Sequence, residues 1–243
     1  MSPRGHPDYI TPVTHVTVEG LAGLEELAAR LSSIVPWDME GNVVLMEDFE
    51  TELTDWTDTS SGGTSSAARS SRHKYSGDWS VKLDVAGAAV TYATIRRLLH
   101  YPGLLKYALF GRFCFDEDAE YIELGAELNT GEEEYVAYAK YDRANETLEV
   151  YSTGEAYVSA GTPPALSQAT PVFYPLLLTL DLATGYYDKL YLGDTEYDIS
   201  TIPLWRETND DPPRGKLFAK AGTVATAVFT AYVDDIVLAK NVP

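Results

Sequence analysis

The sequence is short of positive charge and almost empty of cysteine. Its 243 residues carry 18 Lys and Arg against 37 Asp and Glu, a formal charge of −19. Such a chain repels phosphate backbones and anionic lipid headgroups, which argues against nucleic-acid or membrane-surface partners and for solubility and attraction of cations. The single cysteine, Cys114, excludes an intramolecular disulfide. Its setting in Gly111-Arg112-Phe113-Cys114-Phe115 predicts a small core residue. Long apolar runs are missing too: the richest, from Pro171 to Leu182, contains Pro175 and stops at Asp181, far short of the roughly 20 residues a spanning helix needs. The opening Met1-Ser2-Pro3-Arg4-Gly5-His6-Pro7-Asp8-Tyr9 has no apolar core of a secretory signal, so export by the usual route is not expected. The four histidines, His6, His15, His73 and His100, show no metal spacing, and neither a Gly-x-Ser-x-Gly elbow nor a phosphate loop is present.

What the chain does have is a succession of short apolar runs separated by turn residues. Runs at 79–85, 90–97, 106–115, 120–129, 133–141, 146–151, 171–182, 186–193, 215–220 and 223–238 are broken by Asn129-Thr130-Gly131, Asp142-Arg143-Ala144-Asn145 and Ala183-Thr184-Gly185. This spacing predicts an all-β, two-sheet antiparallel sandwich over residues 41–243. The alternation is plainest from Tyr121 to Leu128, where Ile122, Leu124, Ala126 and Leu128 should face inward. Before the sandwich, Pro3, Pro7 and Pro12 impose an extended arm, and Leu21, Leu24, Ala28, Leu31 and Val35 fall at helical spacing until Pro36. Residues 1–40 thus read as an arm and one short amphipathic helix. Two heptads do not sustain an isolated coiled coil, so the stripe must be covered, either by the chain's own sandwich or by a neighbouring subunit through Leu21, Leu24 and Leu31.

Two acidic stretches stand out, Val43 to Glu50 and Thr230 to Leu238, each a strand-like run carrying carboxylates. Strict parity along the second sends Tyr232, Asp234, Ile236 and Leu238 to one face and Ala231, Val233, Asp235 and Val237 to the other. Two adjacent aspartates in a buried strand cost several kcal/mol unless a cation, a basic partner or an exposed end relieves them. Glu47, Asp48, Glu50, Asp234 and Asp235 are therefore a candidate hard-cation set. The plainer reading has them capping strand ends or pairing with Lys82, Arg96 or Arg97.

Phe49-Glu50 followed by Trp56, then Ser76-Gly77-Asp78-Trp79-Ser80-Val81-Lys82-Leu83, and finally Tyr232-Val233-Asp234-Asp235-Ile236-Val237-Leu238, together resemble the framework of concanavalin A-like lectin/glucanase jelly rolls and related LamG-like and carbohydrate-binding modules. Leu178 to Gly193 is similar to a hairpin such proteins carry late in the fold. The resemblance implies that first and last strands pair and that a structural calcium sits beside them. It also invites a glycosidase, but the Glu-x-Asp-x-x-Glu strand pattern is missing, and Glu120, Glu123 and Glu127 do not reproduce it. Glu123 and Glu127 share a face roughly 13 Å apart at about 3.3 Å per residue, beyond the roughly 5 to 9.5 Å that hydrolytic pairs need. The expectation is a chain that is not an enzyme.

Of the 17 tyrosines, Tyr121, Tyr138, Tyr187 and Tyr191, with Glu123, are the candidate ligand contacts. Amphipathic rings beside acids can stack on sugars or build an interface, although ordinary strand packing explains many tyrosines. The preferred functional expectation is a structural or attachment protein, a phage-type virion component (capsid decoration, tail or fibre subunit) assembled in a host cytoplasm and homo-oligomeric. Its arm would contact other virion or surface proteins, and Pro3 to Tyr9 resembles the start of phage structural proteins. The alternative is a carbohydrate-binding module, secreted or at a cell surface, with a glycoside hydrolase third.

Overall fold

The computed structural model describes residues 41–87, 91–99, 103–116, 120–167, 172–223 and 228–242. The expected arm and helix, with Leu21, Leu24 and Leu31, lie outside the described residues. Among the described residues sixteen strands, numbered in chain order, form two antiparallel sheets of eight strands each. Sheet A contains β1 (Asn42–Glu47), β3 (Ser66–Ser70), β4 (Ser80–Val85), β6 (Lys106–Asp116), β11 (Tyr174–Asp181), β12 (Tyr186–Leu192), β13 (Thr195–Asp198) and β16 (Phe229–Lys240). Sheet B contains β2 (Trp56–Asp58), β5 (Thr91–Leu99), β7 (Tyr121–Asn129), β8 (Glu133–Asp142), β9 (Thr147–Ser152), β10 (Ala156–Gly161), β14 (Trp205–Thr208) and β15 (Arg214–Thr223). The orders are β13-β12-β11-β6-β16-β4-β3 and β10-β9-β8-β7-β15-β5-β2.

The core lies between the sheets and is built by alternation. Ile122, Leu124, Ala126 and Leu128 of β7 face Leu109, Phe113, Leu176 and Leu178 of sheet A within one buried cluster. The first strand pairs with the last, Glu47 opposite Ile236 and Asn42 opposite Lys240. β1 and β4 lie end to end along the same edge of β16, β4 pairing residues 229–233 and β1 residues 236–240.

At the junction the chain departs from strict parity. A bulge between Asp234 and Val237 breaks the β16–β6 register, and Asp235 sits at φ 53°. An extra residue in one strand shifts the inward set by one position. Ala231, Val233, Ile236 and Leu238 therefore point into the core, whereas Val237 and Ala239 lie on the outer face. The parity expected from the sequence holds up to Asp234 and reverses beyond it.

Sheet B has a matching junction: β14 pairs β8 over 133–136 and β9 pairs it over 139–142. The Tyr187 hydroxyl, arriving from sheet A, accepts from the Tyr138 backbone N–H at 3.3 Å and donates to the Tyr151 carbonyl at 2.7 Å. It closes the gap that the two shorter strands leave.

Candidate functional site

The outer face of sheet B collects aromatic and charged side chains from six neighbouring strands. Its centre is β7, whose Glu123, Gly125 and Glu127 alternate with core residues. β15 lies alongside in a register that sets Lys220 opposite Glu123 and Lys216 opposite Glu127. Lys220 Nζ lies 2.7 Å from Glu123 Oε1, and Lys216 Nζ is ion-paired with Glu127 Oε2. From the other side, Tyr157 of β10 donates its hydroxyl to Glu123 Oε2, and Tyr138 of β8 donates to Glu127 Oε1 at 2.8 Å. Each carboxylate therefore holds one lysine and one phenol.

Between them sits Gly125, and its missing side chain is what lets the rings in. A Cβ there would come within 2.5 Å of the Tyr138 ring, 2.8 Å of the Phe218 ring and 2.8 Å of the Ala137 carbonyl. Tyr138 and Phe218 meet edge to face with centroids 4.7 Å apart, Tyr151 lies 5.2 Å from Tyr138, and Tyr157 and Trp205 lie 5.3 and 6.3 Å from Tyr151. Lys140 sits 4.1 Å above the Tyr157 ring and pairs with Glu149 at 2.6 Å. At the far end Tyr121 spreads over Gly222 of β15, with Lys220 5.7 Å from its ring centre.

Burial sets the electrostatics of this face. Glu123 is 1% exposed, a position tenable for a carboxylate only because a cation and a phenol both meet it. Burial opposes ionisation of Glu127, but hydrogen bonds from Lys216 and Tyr138 outweigh it and hold the group below the ordinary carboxylate range. Burial, followed by the charges of Glu123 and Glu127, pushes the hydroxyls of Tyr121, Tyr138 and Tyr157 above the usual phenol value. These phenols stay protonated and serve as donors and stacking surfaces.

Of the expected ligand contacts, Tyr121, Glu123 and Tyr138 are brought together here. Tyr187 is not: it is 2% exposed inside the sandwich, its hydroxyl committed to backbone. Tyr191 belongs to the outer face of sheet A and bonds Glu196 at 2.8 Å. Both are corrected by the positions of their strands, because β12 is in the other sheet. The sequence reading missed Lys216, Lys220, Tyr151, Tyr157, Phe218 and Trp205. Tyr157 and Trp205 lie on β10 and β14, outside the runs the sequence showed, and only the strand order β10-β9-β8-β7-β15, with β14 beside β8, brings all six to one face.

At the β1–β16 seam the acids divide into separate networks. Glu47 accepts from the Trp56 indole at 3.0 Å and from Arg97 at 2.8 Å. Asp48 is exposed and accepts from the Glu50 N–H at 3.1 Å. Glu50 Oε1 accepts from the N–H groups of Asp78 and Trp79 at 2.7 and 2.9 Å. Asp234 and Asp235 are fully buried. Asp234 accepts from the N–H groups of Tyr75, Ser76 and Asp235, while Asp235 takes the Ser76 hydroxyl at 2.6 Å and faces Arg112 Nε at 3.1 Å. Burial raises both, with the charge of Glu50 adding to it at Asp234, which rises to about 6, and the charge of Asp234 adding to it at Asp235, which rises to about 8.

A calcium ion would need these oxygens to converge. As placed they are met by N–H donors, a hydroxyl and a guanidinium, which repel a cation, and among the described residues no group of three or more His, Cys, Asp or Glu side chains could hold a metal. The five acids do not fit a calcium site in this arrangement, and Glu47 is turned away from it. Lys82 pairs with Asp84 rather than with the seam.

No protein-family model matches the chain, and no curated protein sequence does. Solved structures do. The chain is similar to the cellulose induced protein Cip1 at 11% identity and TM-score 0.54, over 80% of this chain and 96% of that one. It is similar to an endo-beta-1,4-glucuronan lyase from the fungus Trichoderma reesei at 11% identity and TM-score 0.52, over 82% and 95%. A sialidase matches at 12% and 0.51, with 82% of this chain spanning 19% of that one. The expectation of a chain that is not an enzyme is overturned by these neighbours: the lyase and the sialidase are enzymes, so the lack of the glucanase strand pattern does not exclude catalysis on this sandwich. The likeness to concanavalin A-like jelly rolls expected from the sequence is borne out at the level of the fold.

Proposed function

We propose that the chain recognises a carbohydrate across the outer face of sheet B, and that the carbohydrate is a neutral polysaccharide. The observation that carries this is the continuous ring surface Phe218–Tyr138–Tyr151–Trp205, with Tyr157 beside it, edged by charged groups already fixed in place. Sugar rings present apolar C–H faces and a rim of hydroxyls, which match aromatic faces with adjacent carboxylates and ammonium groups. Positioned side chains lose little entropy on binding. Lys140, Lys216 and Lys220 are neutralised by Glu149, Glu127 and Glu123, so the face offers no excess positive charge, and the −19 of the whole chain repels a polyanion.

Carbohydrate recognition is also what the names of the similar lyase and sialidase imply for those proteins. The virion reading draws no support from these neighbours. Titration calorimetry against neutral glucans, mannans and xylans, with polyuronates alongside, tests the reading. Binding of a neutral polymer, weakened at least tenfold by Tyr151→Ala or Trp205→Ala in a folded chain, is expected. Binding unaffected by either substitution, or confined to polyuronates, removes it. Reducing ends or unsaturated products released during the same titration would identify turnover at this face.

A further inference from the structure

Lys140, Lys216 and Lys220 of the ligand face are each spent on a carboxylate, but Arg96 is not. It lies half-buried on β5. Ala93 and Ile95 of the same strand belong to the core, so alternation turns Arg96 to the outer face of sheet B. There it stands in line with the rings: Tyr138 is opposite Gly125, Gly125 opposite Phe218 and Phe218 opposite Arg96, one row across β8, β7, β15 and β5. Three strand steps of about 4.8 Å set its backbone about 14 Å from that of Tyr138, next to Phe218 and at the end of the ring surface. Arg96 makes no ion pair and no side-chain hydrogen bond among the described residues, and its Nε is buried without an acceptor. A guanidinium whose N–H groups are left unmet is costly to hold in a half-buried position, so an acceptor from outside the chain stabilises it.

The charge of Arg96 is nevertheless balanced. Lys216, on the neighbouring strand, meets two carboxylates, pairing with Glu127 and lying 3.9 Å from Glu134. Arg96 and Lys216 against Glu127 and Glu134 sum to zero. Burial opposes ionisation of Glu127, and after Lys216 and Tyr138 the charge of Arg96 is among the influences that offset it. Arg96 thus has its charge compensated through space while its donors stay unused. Uncharged oxygens satisfy such donors without upsetting the balance, whereas a further anion would leave Glu127 and Glu134 in excess. The planar fork of a guanidinium directs parallel N–H groups at a pair of oxygens, and neighbouring hydroxyls of a neutral sugar are such a pair. We propose that Arg96 is a specificity-determining residue of the carbohydrate face, donating from its guanidinium to two neighbouring hydroxyl oxygens of the sugar unit that lies over Phe218. The proposal rests on the carbohydrate reading of sheet B and adds an orientation to it. Stacking on the rings accepts any sugar with an apolar face, while a fork at one end of the row accepts only a unit whose adjacent hydroxyls are turned towards β5.

Titration calorimetry with cellohexaose, mannohexaose, xylohexaose and polygalacturonate, at low and high salt, compares the full-length parent with Arg96→Gln, Arg96→Lys and Tyr151→Ala. For the neutral hexasaccharides that the parent binds, Arg96→Gln and Arg96→Lys should each weaken binding roughly tenfold, the lysine because it keeps the charge but not the fork. Salt should leave the affinity of the parent unchanged, and the Tm of both variants should stay within about 3 °C of the parent, since no protein contact is lost. Arg96→Gln binding as tightly as the parent while Tyr151→Ala loses affinity overturns the role of Arg96 and leaves the carbohydrate reading standing. Arg96→Lys binding as tightly as the parent overturns it too, because a point charge would then suffice. A parent that binds none of the hexasaccharides removes the carbohydrate reading and this role with it. A parent that binds polygalacturonate alone, more weakly at high salt and not at all as Arg96→Gln, makes Arg96 a carboxylate anchor and overturns both. Should Arg96→Gln fail to fold, Arg96→Lys decides by the same comparison with Tyr151→Ala.

Discussion

Tyr138 and Phe218 approach each other edge to face, centroids 4.7 Å apart, directly over Gly125 of the strand between them. That approach is possible because position 125 carries no side chain. Gly125→Ala places a methyl 2.8 Å from the Ala137 carbonyl, which belongs to a paired strand and has little freedom to move. The substitution should cost about 1–3 kcal/mol through overpacking, seen as a fall in denaturant midpoint. It should also weaken carbohydrate binding more than a neutral surface change does, because the ring surface is broken at its middle. A variant as stable as the parent would show that the rings are not confined by the backbone.

Glu127 gives a second expectation, through charge. Its folded-state value is depressed, so its contribution is present above the unfolded carboxylate value and is lost as pH falls through the folded one. Glu127→Gln removes a charge-assisted partner from Lys216 and Tyr138 and should destabilise by about 1–2 kcal/mol near neutral pH. The gap between parent and variant should close as the pH is lowered from 7 to 3. Chemical denaturation at several pH values measures it, and a gap that widens on acidification contradicts the assignment.

The buried pair at the seam has the opposite sign. Asp234 and Asp235 are raised above the unfolded value of 3.8, so between about pH 4 and pH 8 the folded chain keeps protons that the unfolded chain releases. Their contribution to stability therefore declines as pH rises through that window and levels off above it. Asp235→Asn does not titrate, so its melting temperature relative to the parent should climb from pH 5 to pH 9. A melting-temperature difference that stays flat over that interval would mean that Arg112 keeps Asp235 ionised throughout and would overturn the assignment.

The strand pattern was readable wherever alternation is driven by a buried face: β4 to β9, β11, β12, β15 and β16 appear within a few residues of the runs in the sequence. The elements missed, β2, β3, β10, β13 and β14, are short or exposed edge strands, whose membership depends on neighbours rather than on an apolar period. The pairing of first and last strands was implied by the resemblance that the two acidic runs help to carry, but the bulge was not, because Asp234-Asp235 reads as ordinary alternation until β4 and β1 are seen to share one edge of β16. The ligand face was half legible for the same reason. Tyr121, Glu123 and Tyr138 lie on adjacent strands, whereas the lysines of β15 are about 90 residues away in sequence from the glutamates they meet.

Tyr187 tests how that face is held from beneath. Its hydroxyl joins the Tyr138 N–H and the Tyr151 carbonyl, the two backbone groups left between the ends of β14 and β9. Both residues carry rings of the ligand face on the opposite side of the same strands. Tyr187→Phe keeps the packing of a side chain that is 2% exposed but leaves a buried donor and a buried acceptor unmet, at a cost of about 1–3 kcal/mol. The loss should be local first: the Tyr138 amide should exchange faster before the midpoint of unfolding moves far. Carbohydrate affinity should fall even though Tyr187 never touches the ligand, since Tyr138 and Tyr151 would no longer be fixed relative to each other. Unaltered exchange at Tyr138 would show that backbone pairing alone holds the junction.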